Sequence, residues 1–338
     1  MNKSCRINNK FFTEKNKKIA VGIFMVALAV FPLAIQSGLI IRVAVIAALY
    51  SIASMGNMVI VGYGGLLTCG HGAFFGLGAY VSAILSTTFG FPFWLCFLLA
   101  IVGSAIFGFL ISIPCLRVQV DFLSLITIAF AQIFASVAKN WTGLTGGARG
   151  IVDIPSASLF GFKFSSQTSY YYLVIIIAII VYILLNNLMK SSVGRAMQAM
   201  RDDEIGARAM GIDINKYKVL AFVLGSIAAG IAGSLMAHYM RYIGPTSFTL
   251  DASLLFMQMI ILGGLGNLNG AIVGAVFFTV MPEIFRPLAV YRVGLGGAVM
   301  LLVVLLRPQG LLGSDAFAAT GGMLTKFISA IRSKKSDR

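Results

Sequence analysis

Few residues in this sequence are of a type that makes or breaks bonds. The two histidines, His71 and His238, stand apart and lack partners at metal-ligand spacing. The four cysteines, Cys5, Cys69, Cys96 and Cys115, form no C-x-x-C pair. Three of them lie in apolar stretches, which fits buried thiols and supports neither a disulfide framework nor a zinc site. No G-x-x-x-x-G-K-[ST] occurs and the dipeptide Gly-Lys is absent, so the chain lacks a phosphate-cradling loop of that kind. An intramembrane enzyme would need a convergent nucleophile and base or a metal cluster, and the sequence shows neither. The chain is therefore read as having no catalytic residue, no metal and no cofactor of its own.

What the sequence does offer is the chemistry of contact. The run GYGGLLTCGHGAFFGLGAY (62–80) interrupts an apolar stretch with glycine after glycine. Glycine permits non-helical backbone and close helix approach. Irregular backbone at membrane depth must be buried in protein or line a water-filled path. Asn57, Gly62, Gly64, Gly65, Gly70, His71 and Gly72 are thus candidates for a solute path, and tight packing alone explains them equally well. His71 either meets solute or donates a packing hydrogen bond, and His238 is read as a structural or snorkelling residue. A second cluster, ILGGLGNLNGAIVGA (261–275), contains turn-favouring Asn267 and Asn269. A third, TGLTGGARGI (142–151), is either a flexible loop or a docking surface.

The other contact element is the polar stretch GRAMQAMRDDEIGARAMGI (194–212). It reads as two short helices. The first carries Arg195, Met197, Met200 and Arg201. The second starts near Asp202, Asp203 and Glu204, where carboxylates suit a helix N-terminus, and runs through Ala207 and Met210 to Gly211, a good terminator. Its small and Met-rich apolar surface suits a groove on another protein. The alternative is a helix lying on lipid, against which the acidic triplet argues.

These residues must be positioned by membrane helices. Of the 338 residues 59% are hydrophobic and 11% charged, and mean hydropathy is +0.93. Soluble domains average about 25% charged residues. A water-soluble globule, a disordered chain and a soluble nucleic-acid binder are excluded. Stretches such as YYYLVIIIAIIVYILL (170–185) are apolar on every face, unlike the alternating strands of a β-barrel. The fold is read as an all-α polytopic transmembrane helical bundle of eight to ten segments, including short or broken ones. Candidate segments lie near 19–36, 39–61, 71–88, 93–113, 120–138, 170–189, 218–240, 252–264, 270–285 and 288–306.

The domain reading is a basic cytoplasmic segment 1–18, a transmembrane domain 19–306 with a cytoplasmic loop at 190–217, and a basic cytoplasmic tail 307–338. With both termini inside, 19 of the 26 Lys and Arg face the cytoplasm, counting Lys218 with the loop, and seven face outward. That asymmetry explains the net charge of +15 without nucleic acid. Asp121, Asp251 and Glu283 map near segment ends. Only Arg42 is read as lying somewhat inside, able to snorkel outward, and segment interiors nearly free of charge fit a solute with a neutral side chain moved without a proton relay.

The loop 194–212 resembles the coupling loop of branched-chain amino-acid (leucine/isoleucine/valine) ABC-importer permeases, LivM subfamily. Further blocks resemble that family in the same order: 62–80, NWTGLTGGARGI (140–151), KVLAFVLGSIAAGIAGSLMAHY (218–239), 261–275 and LRPQGLLG (306–313). The resemblance covers about residues 40 to 313 and departs from the family pattern at Cys69 and Gly72. It implies a subunit of a bacterial inner-membrane importer. It further implies a related second permease chain, two ATPase subunits carrying ATP and Mg, and a periplasmic amino-acid-binding protein. Coupling to the ATPases would then fall to Arg195, Met200, Arg201, Asp203, Glu204 and Gly211. Permeases for urea, short amides or other amino acids are alternatives within the class. An autonomous carrier or channel driven by an ion gradient is the alternative outside it.

Overall fold

The computed structural model describes residues 37–118, 120–159, 162–164, 166–284 and 310–312, with the single positions Pro32, Gly297, Leu301 and Leu305. Segments 1–18, 19–36 and 288–306 and the tail beyond 313 lie outside the described residues, apart from those single positions. Between them the apolar runs are helical, with ends within a few residues of those expected. They are α1 (Gly38–Asn57, continued by a π-helical turn Met58–Tyr63), α2 (His71–Thr87), α3 (Phe93–Leu116), α4 (Val120–Asn140) and α5 (Gln167–Lys190). Two short polar helices follow, α6 (Ser192–Asp202) and α7 (Glu204–Ala209), then α8 (Ile214–Met240), α9 (Leu250–Gly263) and α10 (Leu268–Ile284).

Among the described residues five helices are long and apolar enough to cross a membrane, or up to six if α9 and α10, bent by 120°, are taken together as one span. This is fewer than the eight to ten segments expected. The terminal runs fall outside the described residues, and α2, with 17 residues, is short of the roughly 20 that a full crossing needs. The chain is also not wholly helical. Ser158–Leu159 pairs antiparallel with Phe162–Lys163 in a small hairpin between α4 and α5.

α8 is the hub. In its most apolar stretch 67% of residues are buried, against 22% in α4. It packs on α1, α2 and α3. Apolar contact gives helices little reason to associate in lipid, so close backbone approach has to supply the attraction. The sequence provides it through small residues. A Cβ on Gly78 of α2 would strike the backbone of Gly230, and one on Gly233 would strike the Phe75 carbonyl. The outer helices instead turn apolar side chains outward. Leu98, Val102, Ile106 and Phe109 recur along one exposed face of α3, as lipid contact requires.

The α9–α10 turn is closed by a late part of the chain. Gly264 and Gly266 have positive φ at 107° and 84°. Leu311 and Leu312 donate backbone N–H groups to the carbonyls of Leu262 and Gly263 at 2.8 and 2.9 Å. Asn267 Nδ2 donates to the Leu312 carbonyl at 2.9 Å. At the opposite end of the bundle, Ile151 and Ile243 exchange backbone hydrogen bonds and tie the segment after α4 to the segment after α8.

Candidate functional site

The polar loop folds into a ledge with its own caps and core. Ser191 accepts from Val193 N and starts α6. Asp203 accepts from Ile205 N and Gly206 N, both at 3.0 Å, and starts α7. Gly211 ends the ledge with φ +80°. No atom lies within 4 Å of where its Cβ would be, so backbone conformation and not space demands glycine here. Asp213 then caps α8 through Lys216 N. Met200, Ala207 and Ile214 pack together as a small apolar cluster beneath the two helices.

Two charged side chains turn inward and fasten this ledge to the bundle. The Arg201 side chain is only 12% exposed. Its Nη1 donates to the Gly62 carbonyl at 2.8 Å, and it also pairs with Asp202. A Cβ on Gly65, whose φ is +69°, would lie 2.6 Å from Arg201 Cγ. The Glu204 carboxylate meets Lys218 Nζ of α8 at 2.9 Å, and Lys218 is buried. Arg208 adds a weaker, exposed pair with Glu204. Arg195 stays exposed and donates to the Lys190 carbonyl. Outward, the ledge shows Ile205 at 83% and Met210 at 84% exposure. Ile205 was not singled out in the sequence; the available signal is an isoleucine set between charged Glu204 and Gly206, off the face that buries Ala207.

The glycine run is a true break, buried in protein. α1 relaxes into its π-helical turn, a feature often found at functional positions. Residues 64–70 are non-helical, and Gly62, Gly64, Leu66, Thr68 and Gly70 are buried. Ala53 lies ten residues before Tyr63, about 15 Å along a helix. Yet His71 Nε2 sits 2.8 Å from the Ala53 carbonyl. The chain therefore turns at Gly64–Gly65 and runs back into the bundle before α2 begins.

Packing accounts for most of the glycines in this run. A Cβ on Gly70 would meet the Thr127 carbonyl at 2.7 Å, and one on Gly72 would meet Ser253 Oγ at 2.8 Å. A Cβ on Gly62 would meet Met58 and the Gly266 amide. Both glycine clusters and Arg201 thus converge at one end of the bundle. Asn57 and His71 differ from the glycines. Both are fully buried, and among the described residues the two Asn57 amide atoms and His71 Nδ1 have no hydrogen-bond partner. His238 is structural and buried, not snorkelling: its ring nitrogens lie 2.8 Å from Ser82 Oγ and 2.7 Å from the Pro155 carbonyl. Among the described residues no group of His, Cys, Asp or Glu could hold a metal.

A bundle of apolar helices with a buried broken segment, and a capped polar ledge fastened to that break, is the architecture of a helical membrane protein. The family model described as "Branched-chain amino acid transport system / permease component" matches residues 39–306, and the chain belongs to that family. It is 33% identical over 323 residues to the high-affinity branched-chain amino acid permease protein LivM of Salmonella typhimurium, covering 89% of this chain and 76% of that one. LivM of Escherichia coli K12 is 32% identical with the same coverage. The sister permease protein LivH of S. typhimurium is 25% identical over 284 residues, covering 78% of this chain and 91% of that one. No solved structure matches the chain.

Proposed function

We propose that this protein is the membrane-spanning subunit of an ATP-driven importer of branched-chain amino acids. The observation that carries the proposal is the ledge Ser192–Gly211, held to the start of the broken segment through Arg201 and to α8 through Glu204. A partner that moves the ledge would pull directly on Gly62 and on α8. The ledge offers that partner two exposed apolar side chains, Ile205 and Met210. ATP and Mg belong to ATPase partners, consistent with a chain whose own sequence has no P-loop.

The remaining assignments rest on the same frame. A related permease chain completes the pathway, as the likeness to both LivM and LivH supports. A periplasmic binding protein delivers solute to the end opposite the ledge. The ledge and both termini face the cytoplasm of a bacterial inner membrane, and the full bundle has eight to ten segments. Arg201 and Glu204 couple by holding the ledge in place; Ile205, Met210 and Arg208 meet the ATPase. Asn57 and His71 belong to the path, because their unpartnered buried atoms are costly in a bundle unless another state hydrates them or fills them with solute.

The test is uptake of labelled leucine in vesicles holding the chain with its permease, ATPase and binding-protein partners. ATP-dependent uptake resisted by excess isoleucine and valine but not by urea is the expected result. Uptake by this chain alone under an ion gradient would overturn it.

A further inference from the structure

At the end of the bundle opposite the ledge lies a polar pocket of about 290 Å3. α1 supplies Arg42, the start of α5 supplies Ser166 and Gln167, and the end of α8 supplies His238, Tyr239 and Arg241. Among the described residues neither Arg42 nor Arg241 has an ion pair or a side-chain hydrogen bond. Two cationic forks therefore border one small pocket, and among the described residues no carboxylate lies within ion-pair distance of either.

The frame around them is rigid. Ser234 donates to Ser82, Ser82 lies at 2.8 Å from His238 Nε2, and His238 Nδ1 lies at 2.7 Å from the Pro155 carbonyl. Arg241 adopts φ +55°, a left-handed conformation that a non-glycine residue rarely takes. It is held there by its N–H to the Ala237 carbonyl and by Ile154 N–H on its own carbonyl. Ser166 makes no side-chain cap, so the first amides of α5 leave the positive end of that helix open beside the pocket. The carbonyl end of α8 borders it too, but about half a negative charge does not cancel two guanidiniums.

We propose that this pocket binds a phosphate-class oxyanion, supplied by the head group of an anionic phospholipid. Guanidinium forks match phosphate geometry. The lipid source follows from position. Leu39 and Ile40, in the helical turn before Arg42, are 45% and 40% exposed on an apolar helix. Tyr239 also lines the pocket, its ring 5.1 Å from that of Tyr170, which is buried and donates to the Leu235 carbonyl. The proposal needs only that the bundle spans a membrane, not that it carries any particular solute, so its failure leaves the transport proposal standing.

The experiment is native mass spectrometry of the detergent-solubilised full chain with added phosphatidylglycerol, phosphatidylcholine or inorganic phosphate. One phosphatidylglycerol retained at least tenfold more tightly than phosphatidylcholine is expected, with each of Arg42→Gln and Arg241→Gln weakening it about tenfold. Lys139→Gln, elsewhere on the chain, leaves retention unchanged. Equal retention of the two lipids by the unaltered chain overturns the proposal, and this arm needs no variant to fold. Undiminished retention in both arginine variants overturns it as well. Displacement of the lipid by millimolar inorganic phosphate overturns the lipid source and assigns the pocket to a soluble anion.

Discussion

Gly65 and Arg201 occupy the same space from two sides. A Cβ at Gly65 meets the arginine stem and also a left-handed backbone, so Gly65→Ala loses about 1–2 kcal/mol from conformation alone and more from the clash. Gly65→Ala/Arg201→Ala relieves the contact with Arg201 Cγ but gives up the bond to Gly62. The loss of thermal stability in the double variant is therefore expected to be smaller than the sum of the two single losses. Strictly additive losses would show that the contact is not the cause. The Lys218–Glu204 pair makes a second case. Glu204→Gln strands a buried ammonium and is expected to cost about 2 kcal/mol, below the range for a wholly buried pair because the carboxylate is about one-third exposed. Glu204→Gln/Lys218→Met recovers most of that loss in a denaturation series. Asp203, Glu204 and Gly211 were legible as helix-boundary residues because capping is local. The inward turn of Arg201 was not, since its acceptor lies 139 residues away and nothing within the loop announces it.

At the scale of elements, α7 presents Ile205 and Met210 to solvent while burying Ala207. Replacing both with aspartate touches no packed atom, so melting is expected to hold within about 0.5 kcal/mol. Co-purification of ATPase partners is expected to fall at least tenfold. Retained co-purification would place the contact elsewhere on the ledge. The long helices were legible throughout, because apolar runs in lipid have few other ways to satisfy their backbones. The glycine break was legible as a break, but packing and path could not be separated from composition. The structure separates them residue by residue: Gly70 and Gly72 face Thr127 and Ser253, whereas Asn57 and His71 keep unpartnered polar atoms. The hairpin at 158–163 left no signal, being two residues per strand.

For the whole molecule, the ledge, the α1–α2 break and the α9–α10 turn gather at one end, and the Ile151–Ile243 bridge marks the other. Single cysteines placed at Ile205 and at Tyr242, in a background without the natural thiols, are expected to react from opposite sides of intact cells. The Tyr242→Cys site is expected to label with an impermeant reagent and the Ile205→Cys site only after lysis. Labelling of both from outside would refute the bundle's proposed sidedness. The excess of basic residues made that orientation legible as an expectation, whereas the convergence of the two glycine clusters required the fold, because Met58 and Gly266 are 208 residues apart.

The bonds from Leu311 and Leu312 to the end of α9 set an order of events during synthesis. Every described helix has been synthesised before residue 310 is added. Until then the Leu262 and Gly263 carbonyls lack these donors. A nascent chain thus carries an unfinished seam until residues 310–312 arrive, and a message cut short just upstream is expected to yield a product without that seal. Membrane proteases that sense loose helix ends would find such products by that seam.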